Sequence, residues 1–269
     1  RVRSLYEGST LKSEYQKYDD ALETDVSRRV MMVLEYAPRA WYDLRKKQYD
    51  RLEEKDRKEA FAPFNEKSAD DWKQAIEGIN GRILTEALSK IASEHLERIG
   101  WKPLIEGGLS MVHLLATTPA LKENFPGLGD PTLAGAFAKA VSEQQSAVAA
   151  MRGPEVDKST FTKVFAALQD ANAATVKLPL EVITREFGNG AMATVTHDFE
   201  DPYTEIVWPD RMRRFNQMIK GNFVGVGILL RNQDGAKQRE IVVVNPLDGS
   251  PAKRAGVHPG DKIVAVNGT

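Results

Sequence analysis

The 269-residue chain is long enough for two domains or one large one, and its 42% hydrophobic and 28% charged content is ordinary for a globular protein. Thirty-seven basic against 38 acidic residues leave a net charge of -1, which argues against a dedicated nucleic-acid binder. The absence of cysteine excludes disulfides and thiolate metal sites, four scattered histidines argue against zinc, and no apolar run approaches the roughly 18 residues that cross a bilayer. No metal, cofactor, nucleic acid or transmembrane segment is therefore expected. No signal peptide is visible, and the start on Arg1 reads as a mature or trimmed product.

Residues 9 to about 152 read as helices. Ser9 or Thr10 is positioned to cap the first, and Leu11, Tyr15, Tyr18, Leu22, Val26, Val30 and Val33 recur at helical steps on one face. That stripe is longer than a lone surface helix needs, which raises self-association beside plain core packing. Pro38 interrupts, and a second helix carries Trp41, Leu44 and Leu52, with the charge run Arg45 to Glu59 facing water.

Ser68 to Asp71 has the form of a capping box opening a third helix. Its apolar stripe is Trp72, Ile76, Ile79, Ile83, Leu84, Leu88, Ile91 and Leu96, with Gly78 and Gly81 as weak points and Gly100 as its end. Leu104 to Leu115 and the Ala-rich Leu133 to Met151 follow as helices, separated by a Pro/Gly-rich connection. Gly153-Pro154 suits a linker. Ser159 to Val176 reads as another helix, stopped by Pro179. Residues 180–220 look mixed, closing on a short helix with Pro209 at its first position and Met212, Phe215 and Ile219 on one face.

From Val224 onward the period drops to two. Val224 to Leu230, Ile241 to Val244 and Ile263 to Val266 are expected strands. Gly225-Val226-Gly227-Ile228 enters the first of them, and paired glycines there let backbone N–H groups face one concavity suited to a carboxylate. Gly249-Ser-Pro-Ala-Lys-Arg-Ala-Gly256 reads as a turn and a short helix capped by Ser250, and Pro259-Gly-Asp-Lys-Ile-Val-Ala-Val-Asn-Gly268 as a second turn into a strand. These spaced motifs resemble the PDZ domains of bacterial and organellar proteases. The resemblance implies binding of a polypeptide C-terminus by Phe223, Gly225, Val226, Gly227, Ile228 and Leu230.

Just upstream stand Phe187-Gly-Asn-Gly-Ala-Met-Ala193, Asp201-Pro-Tyr-Thr204 and Trp208-Pro-Asp210, then the short helix and Gly221-Asn-Phe223. That order is similar to the C-terminal processing, or tail-specific, serine proteases, over about residues 185–269. It departs at Thr196 to Glu200 and at Asn222. The resemblance implies an extracytoplasmic endopeptidase, often oligomeric, with a serine nucleophile and a lysine base that must be neutral to act. In that family both lie downstream of the PDZ, so no catalytic residue is assigned in this chain. A non-enzymatic PDZ adaptor or secretion component is the alternative.

Two patterns are weighed and set aside as chemistry. Ser250-Pro-Ala-Lys253 spells a Ser-x-x-Lys motif without its partner motifs, and reads as a helix cap. His197-Asp198 are adjacent, are not expected to face each other, and lack a nucleophile elbow. His113 reads as a half-buried histidine on an apolar helix. The expected fold is α+β: a helical domain over 1–152, a helical linking segment over 153–220, and a truncated antiparallel PDZ domain over 221–269.

Overall fold

The computed structural model describes residues 12–53, 55, 57, 60–219, 225–234 and 239–265. Two compact units divide the chain between Asp210 and Arg211. The first is helical: α1 (Lys12–Tyr36), α2 (Pro38–Asp50), α3 (Asp71–Ile76), α4 (Gly81–Glu94), α5 (Trp101–Ala116), α6 (Pro131–Ala150), α7 (Lys158–Ala174) and α8 (Leu180–Asp198), with 3-10 turns between several of them. Helix α9 (Pro209–Ile219) starts at the end of this unit. The second unit holds β1 (Ile228–Asp234), β2 (Arg239–Pro246), α10 (Pro251–Arg254) and β3 (Lys262–Ile263). The α+β class expected from the pattern is the class observed.

Helices α5 and α8 form the centre of the first unit. Leu104, Ile105, Leu109 and Leu115 of α5 and Val182, Ile183, Phe187 and Val195 of α8 are all fully buried. Glycines set how closely the two helices approach. A Cβ on Gly190 would overlap the Gly107 carbonyl oxygen, and one on Gly107 would overlap the Thr194 hydroxyl. Phe161, Phe165 and Phe187 pack ring to ring with centroids 5.6 Å apart, and Trp101 stacks on Phe161 at the same separation. Rings at that spacing combine large apolar burial with favourable edge and offset geometry.

Helix α8 is the largest departure from the sequence reading, which took residues 180 onward as mixed. Thr184, Gly188, Gly190, Thr194, Val195 and Thr196 are poor helix formers. Burial of the Val182–Ile183–Phe187–Ala191–Val195 face outweighs that local preference. Helices α7 and α8 fall in the stretch expected to link two domains. Their side chains Phe161, Val164, Leu168, Val182 and Phe187 join the same core as Leu84, Leu104 and Phe137 from before Gly153-Pro154.

Two earlier helices also differ. The single helix expected from Ser68 to Gly100 is broken at Gly78, whose φ of 83° lies in the left-handed region. Asn80 restarts it, its side-chain oxygen accepting from Arg82 N at 3.1 Å and Ile83 N at 3.2 Å. The expected Ser68 cap is replaced by Asn65, which opens a 3-10 turn at Glu66–Asp70, while the Ser68 hydroxyl donates to Asn65 O. Helix α4 ends at Glu94, and Gly100 instead precedes α5.

On α1, the face toward the core carries Met32 and Tyr36, while Val26 is exposed. Arg29 ties α1 to the end of α5: its Nη1 donates to Thr117 O at 2.6 Å and to Thr118 Oγ1 at 2.8 Å. The caps expected at Ser9 and Thr10 lie outside the described residues.

Candidate peptide-recognition site

Strands β1 and β2 form an antiparallel hairpin, and β3 joins the far side of β2, giving the order β1-β2-β3. Among the described residues nothing pairs with the other edge of β1. At the start of β1, the loop Gly225–Gly227 is fixed from one side. Ala252 N donates to Val226 O and Leu247 N donates to Gly227 O, each at 2.8 Å. The Val226 carbonyl therefore faces α10, and the Gly227 carbonyl faces Leu247, just past the end of β2. All described peptide bonds are trans, so the next N–H groups, those of Gly227 and Ile228, point the opposite way. Two N–H donors at the head of an open strand edge are chemically able to hold an anion such as a carboxylate.

Position 227 requires glycine for two reasons. Its φ is 73°, and a Cβ there would overlap Cβ of Ser250. Ser250 is buried and caps α10, its Oγ accepting from Lys253 N at 3.1 Å. The Ser-x-x-Lys pattern is thus a cap: the Lys253 ammonium pairs with Asp248 rather than with Ser250, and this pairing holds the Asp248 carboxyl below its ordinary range. Ser250 also backs the loop, a role that sequence reasoning missed. The signal lay in the glycine at 227, which marks a close approach.

Of the residues expected to bind peptide, Gly225, Val226, Gly227, Ile228 and Leu230 are brought together along this loop and strand. Val226 is 57% exposed and Leu230 44% exposed. Phe223 lies outside the described residues. So do Val224 and Val266, the ends of two expected strands. Gly256, with φ of 83°, ends α10, and Val257 N returns to Ala252 O at 3.0 Å.

The helical unit carries two polar clusters. In Asp201-Pro-Tyr-Thr204, the Asp201 carboxylate accepts from Tyr203 N at 2.8 Å, Thr204 N at 3.2 Å and Thr204 Oγ1 at 2.5 Å. His95 Nε2 lies 3.0 Å from Oδ2, the oxygen that also accepts from the Thr204 hydroxyl, and Glu97 N donates to His95 Nδ1 at 3.2 Å, which leaves the ring proton on Nε2 to face Asp201. The Thr204 hydroxyl, then the Tyr203 amide and His95, hold this carboxyl well below the usual range. With the hydroxyl proton committed to Asp201, the cluster fixes a turn and presents no activated nucleophile. The turn borders a cavity of about 480 Å³ whose lining mixes Ile83, Ala87, Ile91, Ile206 and Val207 with charged and polar side chains such as Lys90, Glu94 and His95.

The second cluster is buried between α1 and α8. Tyr36 OH donates to Glu186 Oε1 at 2.7 Å, Asn189 Nδ2 donates to the same oxygen at 3.1 Å, and Trp208 Nε1 donates to Asn189 Oδ1 at 3.0 Å. Arg185 meets Glu35 at 2.8 Å, Asp210 at 3.6 Å and Ala75 O at 2.6 Å. Burial is the main cause that raises the Glu186 carboxyl to about 7, and burial likewise raises the Tyr36 phenol.

His197 and Asp198, not expected to face each other, do touch at 2.8 Å, but both are exposed at the end of α8. His113 is half-buried with Ser142 Oγ at 3.3 Å. Among the described residues no group of three or more acidic or histidine side chains is placed to hold a metal ion, and no helix is long and apolar enough to cross a membrane.

The profile of the PDZ domain family, a class of peptide-binding module, matches residues 217–269. The C-terminal part of the chain is a PDZ domain. The chain is similar to the carboxy-terminal processing protease CtpA of Bacillus subtilis, 35% identical over 80 residues, which is 30% of this chain and 16% of that protein. Probable CtpA-like serine proteases of Staphylococcus aureus strains are also 35% identical, over 83 residues covering 31% of this chain and 16% of theirs. The chain thus spans about a sixth of the length of these relatives, 16% in each case. No solved structure matches it.

Proposed function

We propose that this chain is the N-terminal and substrate-sensing part of a C-terminal processing serine endopeptidase, its PDZ domain capturing the free C-termini of polypeptide substrates. The observation that carries the reading is the loop at Gly225–Ile228, clamped from behind by Ala252 and Leu247 so that two N–H groups face outward beside the open edge of β1. An extended peptide adds to such an edge through its backbone, with its carboxylate held at the loop. Catalysis is assigned to a serine and a lysine outside this chain, by likeness to the relatives.

Fluorescence anisotropy with short labelled peptides tests the recognition step. Peptides ending in a free carboxylate are expected to bind, and the same peptides with amidated ends to bind at least roughly tenfold more weakly, because a charge-assisted hydrogen-bond pair is lost. Gly227→Val is expected to remove binding of both. Equal affinity of free and amidated peptides would exclude carboxylate capture. The adaptor alternative shares this binding step and parts from the protease on activity. A peptidase assay on the protein extended beyond Thr269, with no turnover of a bound substrate, would favour the adaptor.

A second reading concerns the helical unit. Val26, Met31 and Leu34 of α1 are 51%, 66% and 41% exposed, and large apolar side chains left exposed on one helix suit a contact surface. We propose self-association through this face. Sedimentation velocity is expected to show a species larger than the monomer, shifted back by Met31→Glu; a strict monomer at high concentration overturns it.

A further inference from the structure

We propose that Ala252 and Leu247 are positioning residues of the peptide site: each aims and strengthens one of the two outward N–H donors through the peptide group that it holds from behind. The inference rests on the recognition reading above and says how that site tells a carboxylate from a neutral chain end.

Each donor shares a planar peptide group with a carbonyl that is already engaged. The Gly227 N–H belongs to the group that carries Val226 O, which accepts from Ala252 N at 2.8 Å. The Ile228 N–H belongs to the group that carries Gly227 O, which accepts from Leu247 N at 2.8 Å. A hydrogen bond at the oxygen of a peptide group draws electron density toward it and leaves the N–H at the other end more positive. Each bond in such a chain strengthens the next by roughly 10–30%. The line to Gly227 is longer by one group, because Ala252 N shares a peptide group with Pro251 O, and this oxygen accepts from Ala255 N at 2.9 Å. Aim is fixed by the same bonds. A planar group held at its oxygen turns its N–H away from the site only by breaking that bond.

The sequence leaves these bonds no competitor. The first N–H groups of a helix have no partner inside it. In α10, Pro251 has no N–H, and Lys253 N is taken by Ser250 Oγ at 3.1 Å, so Ala252 N is the donor left for the loop. Ala252 is buried, which shields its bond from water. Pro246 likewise has no N–H at the end of β2, and Leu247 supplies the next one. Gly227, in the left-handed region, turns the chain so that consecutive carbonyls meet these two different donors. Hydrogen bonds to an ionised acceptor are the stronger ones and gain most from a more positive N–H. Loss of either rear bond therefore weakens a free carboxylate end more than an amidated one.

The test replaces single backbone N–H groups of the 269-residue chain by ester oxygens, with side chains unchanged. Lactic acid stands at 252, leucic acid at 247 and, as a control, the hydroxy acid of valine at 257, whose N–H bonds Ala252 O at 3.0 Å and lies in neither line. The esters at 252 and 247 are expected to weaken binding of a free-ended peptide roughly three- to tenfold, and of its amidated form less than about twofold. The ester at 257 leaves the ratio of the two affinities as it was. In NMR spectra without peptide, the ester at 252 is expected to move the Gly227 amide proton upfield, and the ester at 247 the Ile228 proton. The unaltered chain supplies a second measurement that does not depend on the esters folding. Its couplings across the Ala252–Val226 and Leu247–Gly227 hydrogen bonds should grow when the free-ended peptide binds and stay constant with the amidated one. Equal losses for both peptides in all three esters, or couplings that do not respond to the free-ended peptide, overturn the proposal and leave carboxylate capture intact. An unaltered chain that binds free-ended peptide no better than amidated overturns the recognition reading and this inference with it.

Discussion

Replacing Arg185 with methionine is expected to cost the chain about 3–5 kcal/mol of stability. The Arg185 side chain is 11% exposed and reaches into a space shared by three elements. Its guanidinium meets the Glu35 carboxylate of α1 at 2.8 Å, the Asp210 carboxylate at the start of α9 at 3.6 Å, and the Ala75 carbonyl of α3 at 2.6 Å. Its Nε is buried with no hydrogen-bond partner, so the cation is held by charge and by two of its three nitrogens. Methionine fills a similar length of apolar space and removes the charge. The Asp210 carboxylate, 8% exposed, and the Glu35 carboxylate, 31% exposed, then lose this cation, and the loss comes from that missing counter-charge rather than from packing. A denaturant titration is expected to show a lowered midpoint with an unchanged slope. Adding Glu35→Gln and Asp210→Asn to Arg185→Met should restore most of the loss, because the three neutral groups no longer require a counter-charge. A cost below about 1 kcal/mol for Arg185→Met would show that water screens this site as it screens a surface pair.

How much of this was legible beforehand depends on what kind of signal each feature leaves. The PDZ segment is written in local rules. Gly227 needs a left-handed φ, Ser250 needs a short polar side chain at a cap, and Ile241 to Val244 needs a β-branched run, so each residue type points to its own conformation. Helix α8 left the opposite impression, because Gly188 and Gly190 look like breakers in one dimension. In three dimensions they admit Trp208 and the backbone of α5. Only the partner explains them. The break at Gly78–Asn80 is half visible in the sequence, since Gly78 is a weak point in a helix while Asn80 has no local mark that sets it apart as a cap.

The polar cluster was invisible for a deeper reason. Arg185-Glu186 in sequence is a surface-like charged pair, the default for such residues. Nothing local says that Glu186 sits 3% exposed against Tyr36. Asp201-Pro-Tyr-Thr204 was noticed as a pattern, but its partner His95 is 106 positions away, and the hydrogen bond between them exists only once α4 and the turn after α8 are packed.

Glu186→Gln is expected to stabilise the chain, and to do so only above the pH at which the carboxyl ionises. Glu186 ordinarily ionises near 4.5, and in the fold it is raised to about 7, first by burial and further by the nearby Glu35 charge, against the lowering effects of Tyr36, Arg185 and Asn189. Between those two values the folded chain holds a proton that the unfolded chain has released. Stability therefore falls as pH rises from about 4.5 to about 7, and stays at its reduced level above that. At about 1.4 kcal/mol per pKa unit, the penalty near pH 8 is on the order of 3 kcal/mol. Glutamine copies the protonated acid: its oxygen still accepts from Tyr36 OH and Asn189 Nδ2, and it carries no charge to desolvate. The difference in unfolding free energy between Glu186→Gln and the parent chain should be near zero at about pH 4.5, grow through the interval, and level off above about pH 7 at up to about 3 kcal/mol. Chemical denaturation at several pH values measures it, and taking the difference cancels the titration of groups common to both chains. Tyr36→Phe separates the two parts of the cluster. It removes a donor to Glu186 Oε1, so the carboxyl of that variant should ionise at still higher pH and the interval over which stability falls should widen upward. A difference that is flat with pH would mean that water reaches Glu186 and that the α1–α8 contact is open at this point.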